Sequence, residues 1–132
     1  MEKGRNYTYK GNTYTVLGDC RMKDSKKNWV DAVRYQDVNN KEKGEFVRSE
    51  KQFLDRFIPT ELKVGDRVLV VSMGKKVGVD TVDKIEESQA HLTKTVMILP
   101  LEIKKGGYID SFENKDFFFF NAKIEKEQVK YQ

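Results

Sequence analysis

Residues 10–18 read KGNTYTVLG, and residues 63–71 read KVGDRVLVV. Each stretch places a glycine-containing turn before alternating apolar residues, Tyr14 and Val16 in the first, Val68 and Val70 in the second. Alternation with a period of two marks a strand that buries one face. Each stretch then runs into a charged, turn-rich segment and a further β-patterned run. This layout predicts a mainly β protein made of two small β-barrel modules in tandem, residues 1–60 and 61–132, with almost no linker between them.

Outward from the first stretch, Tyr7 and Tyr9 alternate as Tyr14 and Val16 do, and Gly11-Asn12 between them is the expected hairpin turn. Residues 21–28 (RMKDSKKN) read as a polar loop, 29–35 (WVDAVRY) as a strand, 36–44 as a second polar loop, and 45–48 as a short strand. The period then switches over residues 49–57. Ser49 and Gln52 fit a capping box, and Phe53, Leu54 and Phe57 fall toward one helical face, so one short helix is expected there. Pro59 marks the end of the module.

In the second module, residues 64–66 are a turn and 67–72 a strand. Residues 74–78 (GKKVG) read as a glycine-bounded basic hairpin loop, with a phosphate cradle as the alternative. Residues 79–85 alternate, with Val79 and Ile85 apolar and Val82 displaced by a bulge; 90–101 carry one or two more strands, and Pro100 belongs at an edge or a strand end. Gly106-Gly107 is a turn, and 117–124 (FFFFNAKI) a late strand whose four phenylalanines must occupy both faces. They are expected either between the two modules or in a homodimer through the 117–120 strand. The Lys/Glu-rich tail from Glu125 is expected to be exposed.

The 132 residues carry a net charge of +4. Residues 1–60 hold 13 Lys and Arg against 9 Asp and Glu, and residues 61–132 hold 12 against 12, so the excess lies in the first module. A basic module beside a neutral one points to a polyanionic partner, or to an ordinary solvated surface. Cys20 is the one cysteine, which excludes an internal disulfide and suits a reducing cytoplasm. No apolar run has the roughly 20 residues of a spanning helix, and the N-terminus lacks the apolar segment of a secretory signal.

Residues 7–57 resemble a small bacterial and phage domain family of unknown function, through Lys10-Gly11, Tyr14, Val16-Leu17-Gly18, Trp29-Val30, Phe46-Val47-Arg48 and Phe53. The resemblance implies a fold and no activity. Residues 62–92 look like an SH3-like barrel of the KOW/Tudor type, through Val64-Gly65-Asp66, Val68, Val70, residues 74–78, Val82 and Ile85. Where the KOW pattern has a glycine before the second strand's central valine, this chain has Asp80-Thr81. The second resemblance implies binding to RNA, DNA or the transcription and translation machinery.

Basic and aromatic residues interleave in the first module. Arg5, Lys10, Arg21, Lys23, Lys26, Lys27, Trp29, Arg34 and Arg48 are the candidate nucleic-acid contacts, with Lys75 and Lys76 in the second-module loop. Phosphates attract Lys and Arg, and unpaired bases stack on aromatic faces. Trp29 is nevertheless expected in the core, as large aromatics mostly are, and Lys26 and Lys27 are either phosphate contacts or a solvated loop. His91 and Cys20 are each alone, without metal-ligand spacing. Asp80, Asp83, Glu86, Glu87, Asp110, Glu113 and Asp116 stand among lysines and read as solvated charge. No metal, cofactor or catalytic group is expected. The expected function is therefore a non-catalytic, cytoplasmic nucleic-acid-binding accessory protein of phage or bacterial type. A protein–protein adaptor or inhibitor of a host protein, and a binder of a small anion such as a nucleotide, are the alternatives.

Overall fold

The structure is a computed structural model in which residues 1–121 are described. The end of the 117–124 strand and the tail from Glu125 lie outside the described residues. The chain divides into two compact units, Met1–Pro59 and Thr60–Gln132. Among the described residues it is mainly β, with eleven strands and one α-helix.

Unit 1 contains β1 (Asn6–Tyr9), β2 (Asn12–Lys23), β3 (Trp29–Asp37), β4 (Phe46–Ser49), α1 (Glu50–Arg56) and β5 (Ile58–Pro59). They form an antiparallel sheet in the order β4-β3-β2-β1-β5. Tyr9 pairs directly with Asn12, so the first turn is Lys10-Gly11, one residue earlier than expected. Both turn residues have positive φ, 49° and 80°, the geometry whose twist matches two antiparallel strands. The loop expected over 21–28 is shorter. Arg21, Met22 and Lys23 continue β2, opposite Asp31, Val30 and Trp29, because a paired backbone carries a strand past the point where its side chains are buried. A bulge at Leu17 shifts the ladder between the pairs Val16–Tyr35 and Gly18–Arg34.

The helix begins as its sequence suggests: the Gln52 N–H donates to the Ser49 hydroxyl at 3.2 Å. Phe53 and Phe57, four residues apart, lie on one face. Their rings stack at 4.1 Å, the edge of Tyr7 meets Phe53 at 4.9 Å, and the Tyr35 ring lies tilted to Phe53 at 5.3 Å. With Val16 and Val33 these residues are the core of unit 1. Leu54, grouped with the two phenylalanines in the sequence reading, is 45% exposed. It follows Phe53 by one position, about 100° around the helix.

Unit 2 contains β6 (Arg67–Ser72), β7 (Lys75–Glu86), β8 (Gln89–Leu92), β9 (Ile98–Pro100), β10 (Tyr108–Phe112) and β11 (Lys115–Phe119). The strand order is β10-β11-β6-β7-β8-β9, and the outer strands β9 and β10 approach each other, so the sheet is barrel-like and nearly closed. Pro100 ends β9, where no ladder N–H is asked of it. The hairpin turns are Met73-Gly74, Glu87-Ser88 and Glu113-Asn114, all with positive φ. The basic loop expected over 74–78 is therefore mostly strand. Only Gly74 is in the turn, Lys75 and Lys76 pair with Ser72 and Val71, and backbone groups taken up in the ladder form no phosphate cradle. β10, not anticipated from the sequence, pairs with the Phe-rich β11. Phe117 is buried, Phe118 meets Tyr108 at 5.5 Å, and the Arg67 guanidinium lies 4.1 Å from the Phe120 ring centroid.

Asp80 departs furthest from expectation. It is buried, at 1% exposure, rather than solvated. Its carboxylate accepts the N–H of Thr95 at 2.7 Å, of Thr81 at 2.8 Å and of Lys94 at 2.9 Å, so it pins the connection between β8 and β9 to β7. Asp80 and Val82 are the buried positions of this part of β7, whereas Ile85, one of the apolar positions of the alternation, is exposed. Burial raises the Asp80 pKa, but the hydrogen bonds from Lys94, Thr95 and Thr81 outweigh it and hold the carboxyl below its ordinary value.

Two stability measurements follow from these cores. Phe53→Ala should cost about 3–5 kcal/mol in urea unfolding, against roughly 1 kcal/mol or less for Leu54→Ala. Asp80→Asn should cost about 1–3 kcal/mol at pH 7 and strip hydrogen-exchange protection from the Lys94 and Thr95 amides. Because the folded pKa of Asp80 is depressed, its contribution is complete above the ordinary carboxylate pKa. It is lost as pH falls through the folded value, so the gap between wild type and Asp80→Asn should close in acid.

Candidate nucleic-acid interface

The β2–β3 hairpin gathers five of the candidate residues at its tip. Lys23 and Trp29 are direct partners across the ladder. Trp29 is 59% exposed, contrary to its expected place in the core. The Lys23 ammonium stands 5.3 Å from the indole centroid, within cation–π range. Arg21 lies two residues back on the face of Lys23, opposite Asp31, and is also exposed. Lys26 and Lys27 occupy the exposed connection of residues 24–28. This turn is shaped by Asp24, whose Oδ1 accepts the N–H of Lys26 and of Asn28, both at 2.9 Å. The tip thus presents one bare indole with four cations on the same short ribbon.

The other candidates are elsewhere. Lys10 is at the opposite end of β2, which at about 3.3 Å per residue spans roughly 40 Å. The Arg5 guanidinium lies 5.5 Å from the Tyr7 ring. Arg34 is on the opposite face of β3 from Trp29, where its Nη1 meets Glu45 Oε2 at 3.3 Å. Gly18 leaves room for it, since a Cβ there would stand 2.9 Å from Arg34 Nη2. The Nε of Arg48 donates to the Tyr35 hydroxyl at 2.9 Å, and its guanidinium lies 5.5 and 5.7 Å from the Tyr9 and Phe57 rings. The nine residues therefore do not share one surface. Lys75 and Lys76 are exposed positions of β7 in unit 2.

An open groove runs beside the tip, between the ribbon and α1. Asp24 and Asp31 wall it on one side and Glu50 and Asp55 on the other, with Lys51 among them and Val30 and Leu54 as its apolar lining. Its carboxylates repel a polyanion, and Asp31 lies on the Trp29 face of β3, two residues along the strand.

Among the described residues no group of three or more His, Cys, Asp or Glu is placed to hold a metal. Cys20 is half-buried in β2 opposite Ala32. The His91 ring, in β8, has its Nε2 3.9 Å from Glu86 Oε2. No described helix is long and apolar enough to cross a membrane.

Arg56 escaped the sequence reading, although it sits next to Phe57 and its charge reaches the Tyr9 phenol. The position of an arginine in the last turn of a predicted helix beside a core aromatic was the available signal. Comparison of the chain with family models, with curated proteins and with solved structures finds no match.

Proposed function

We propose that unit 1 binds single-stranded nucleic acid through the tip of the β2–β3 hairpin. The observation that carries this reading is the exposure of Trp29 directly opposite Lys23. An exposed indole offers a stacking platform that any base can use, and Arg21, Lys23, Lys26 and Lys27 supply the phosphate contacts. Nothing in this arrangement calls for a bond-breaking step, so the role is that of a non-catalytic accessory factor of bacterial or phage type, acting in a reducing cytoplasm. The KOW/Tudor-like, tandem small-barrel description of the two units belongs to the same proposal. So does a homodimer through the Phe-rich strand. Because β11 is hydrogen-bonded on both edges, to β10 and β6, such a dimer would use side chains rather than strand pairing.

The groove favours a second role. Its acidic walls and its apolar residues Val30 and Leu54 suit a basic, partly apolar protein segment, which makes a protein–protein adaptor or inhibitor the alternative.

Trp29 is the chain's single tryptophan, so its fluorescence reports on the tip alone. Single-stranded oligonucleotides should quench it at low salt. The logarithm of the binding constant should fall with the logarithm of salt concentration at a slope of about −3, the value for four phosphate contacts on a single strand. Trp29→Ala should weaken binding of a labelled oligonucleotide by about 1–3 kcal/mol. Lys26→Glu with Lys27→Glu should weaken it regardless of base sequence. Salt-insensitive binding, or none at low salt, would overturn the nucleic-acid reading, and capture of a protein without affinity for oligonucleotides would favour the adaptor.

A further inference from the structure

A second concentration of positive charge lies at the other end of unit 1, where β1 ends and α1 passes into β5. Tyr9, the last residue of β1, stacks on Phe57 with the ring centroids 4.7 Å apart. The Lys10 ammonium stands 5.3 Å from the Tyr9 ring centroid, and the Arg48 guanidinium carbon 5.5 Å from it. Arg48 is held in place, since its Nε donates to the Tyr35 hydroxyl at 2.9 Å and its guanidinium also lies over Phe57. Its terminal nitrogens are not used in that bond. Arg56, exposed in the last turn of α1, directly precedes Phe57.

The charges converge on one hydroxyl. Burial raises the Tyr9 pKa, but the hydrogen bond from Lys10 and the charges of Lys10, Arg56 and Arg48 more than offset it, so the phenol is held below its ordinary value. Among the described residues, none of these three cations forms an ion pair with a carboxylate. Three cations around one phenol repel one another, and a bound anion lowers that cost. A phosphate dianion is the best match in chemistry. It offers several strong acceptor oxygens to a guanidinium fork, a second guanidinium, an ammonium and a phenolic O–H.

We propose that Tyr9, Lys10, Arg48 and Arg56 form a binding site for a phosphate dianion, either free phosphate or the phosphomonoester of a small molecule. The site shares no residue with the hairpin tip, so it stands or falls independently of nucleic-acid binding there. Arg48 fixes the inner wall through Tyr35 and Phe57. Lys10 and Arg56 close over the ligand from the exposed side.

The test uses the whole chain, with inorganic phosphate and adenosine monophosphate as probes and sodium chloride at matched ionic strength as the control. Thermal melting should rise with phosphate beyond the chloride control, as for any ligand of the native state. The variant to compare is Lys10→Asn with Arg56→Gln. Asparagine suits the positive φ of 49° at position 10, and Arg56 is exposed, so the fold is retained. It should bind phosphate at least tenfold more weakly. Lys41→Gln with Lys43→Gln removes the same charge from an exposed turn outside the site and should respond as wild type. Tighter binding of adenosine monophosphate than of phosphate supports the site as one for an ester, and equal or weaker binding supports it as one for free phosphate. The proposal is overturned if wild type responds to neither probe beyond chloride. It is also overturned if Lys10→Asn with Arg56→Gln responds as wild type, or if the Lys41/Lys43 control loses the response equally.

Discussion

Unit 1 is governed by a mismatch of lengths. Helix α1 has seven residues and at 1.5 Å per residue is about 10 Å long, whereas the twelve residues of β2 extend roughly 40 Å. The two phenylalanines that α1 contributes, Phe53 and Phe57, cover only the middle of the sheet, over Tyr7, Val16, Val33 and Tyr35. At the hairpin end, Arg21, Lys23, Trp29 and Asp31 lie beyond that cover and are exposed. The far end of the β2–β3 ribbon keeps its ladder, because each strand satisfies the other's backbone groups, while Arg21, Lys23, Trp29 and Asp31 on this face meet water. The exposure of Trp29 is a consequence of this geometry.

The same cover explains why the basic residues divide into groups. Arg48 stands on the covered face, so its guanidinium is drawn over the Tyr9 and Phe57 rings and bonded to Tyr35. Arg34, one register on the opposite face, pairs with Glu45 instead. At the end of β1 the charges of Lys10, Arg48 and Arg56 all act on the Tyr9 phenol, and at the opposite end of β2 the turn shaped by Asp24 carries Lys26 and Lys27. Basic residues scattered along the first module thus become two separate concentrations. One centres on a flat indole and the other on a hydroxyl.

Unit 2 relies on a different device. A barrel-like sheet of short strands needs its connections held, and Asp80 does this for the segment between β8 and β9 by accepting backbone N–H groups that no strand partner satisfies. The carboxylate is tolerated at 1% exposure because hydrogen bonds replace its hydration. An aspartate among lysines gives no local sign of this role, since the two partners it pins, Lys94 and Thr95, lie fourteen and fifteen residues away in sequence.

The amino-acid sequence by itself determined what depends on neighbours along the chain. It set the alternation that makes the strands, the Ser49 cap and the four-residue spacing of Phe53 and Phe57 that make α1, the turn glycines at positions 11 and 74, and the excess of charge in the first half. It was misleading where a local pattern needs a remote partner to be interpreted. Lys75 and Lys76 looked like a loop because two glycines flank them, yet a two-residue turn uses only Gly74, and the remainder pairs with β6. Glu87-Ser88 and Glu113-Asn114 form equally tight turns without glycine, so their hairpins were invisible locally. Tertiary structure alone decided which tyrosines and arginines meet, that Asp80 goes inside, and that Trp29 stays outside. Burial is set by what covers a residue, and the reach of a seven-residue helix over a longer ribbon cannot be read from the composition of either.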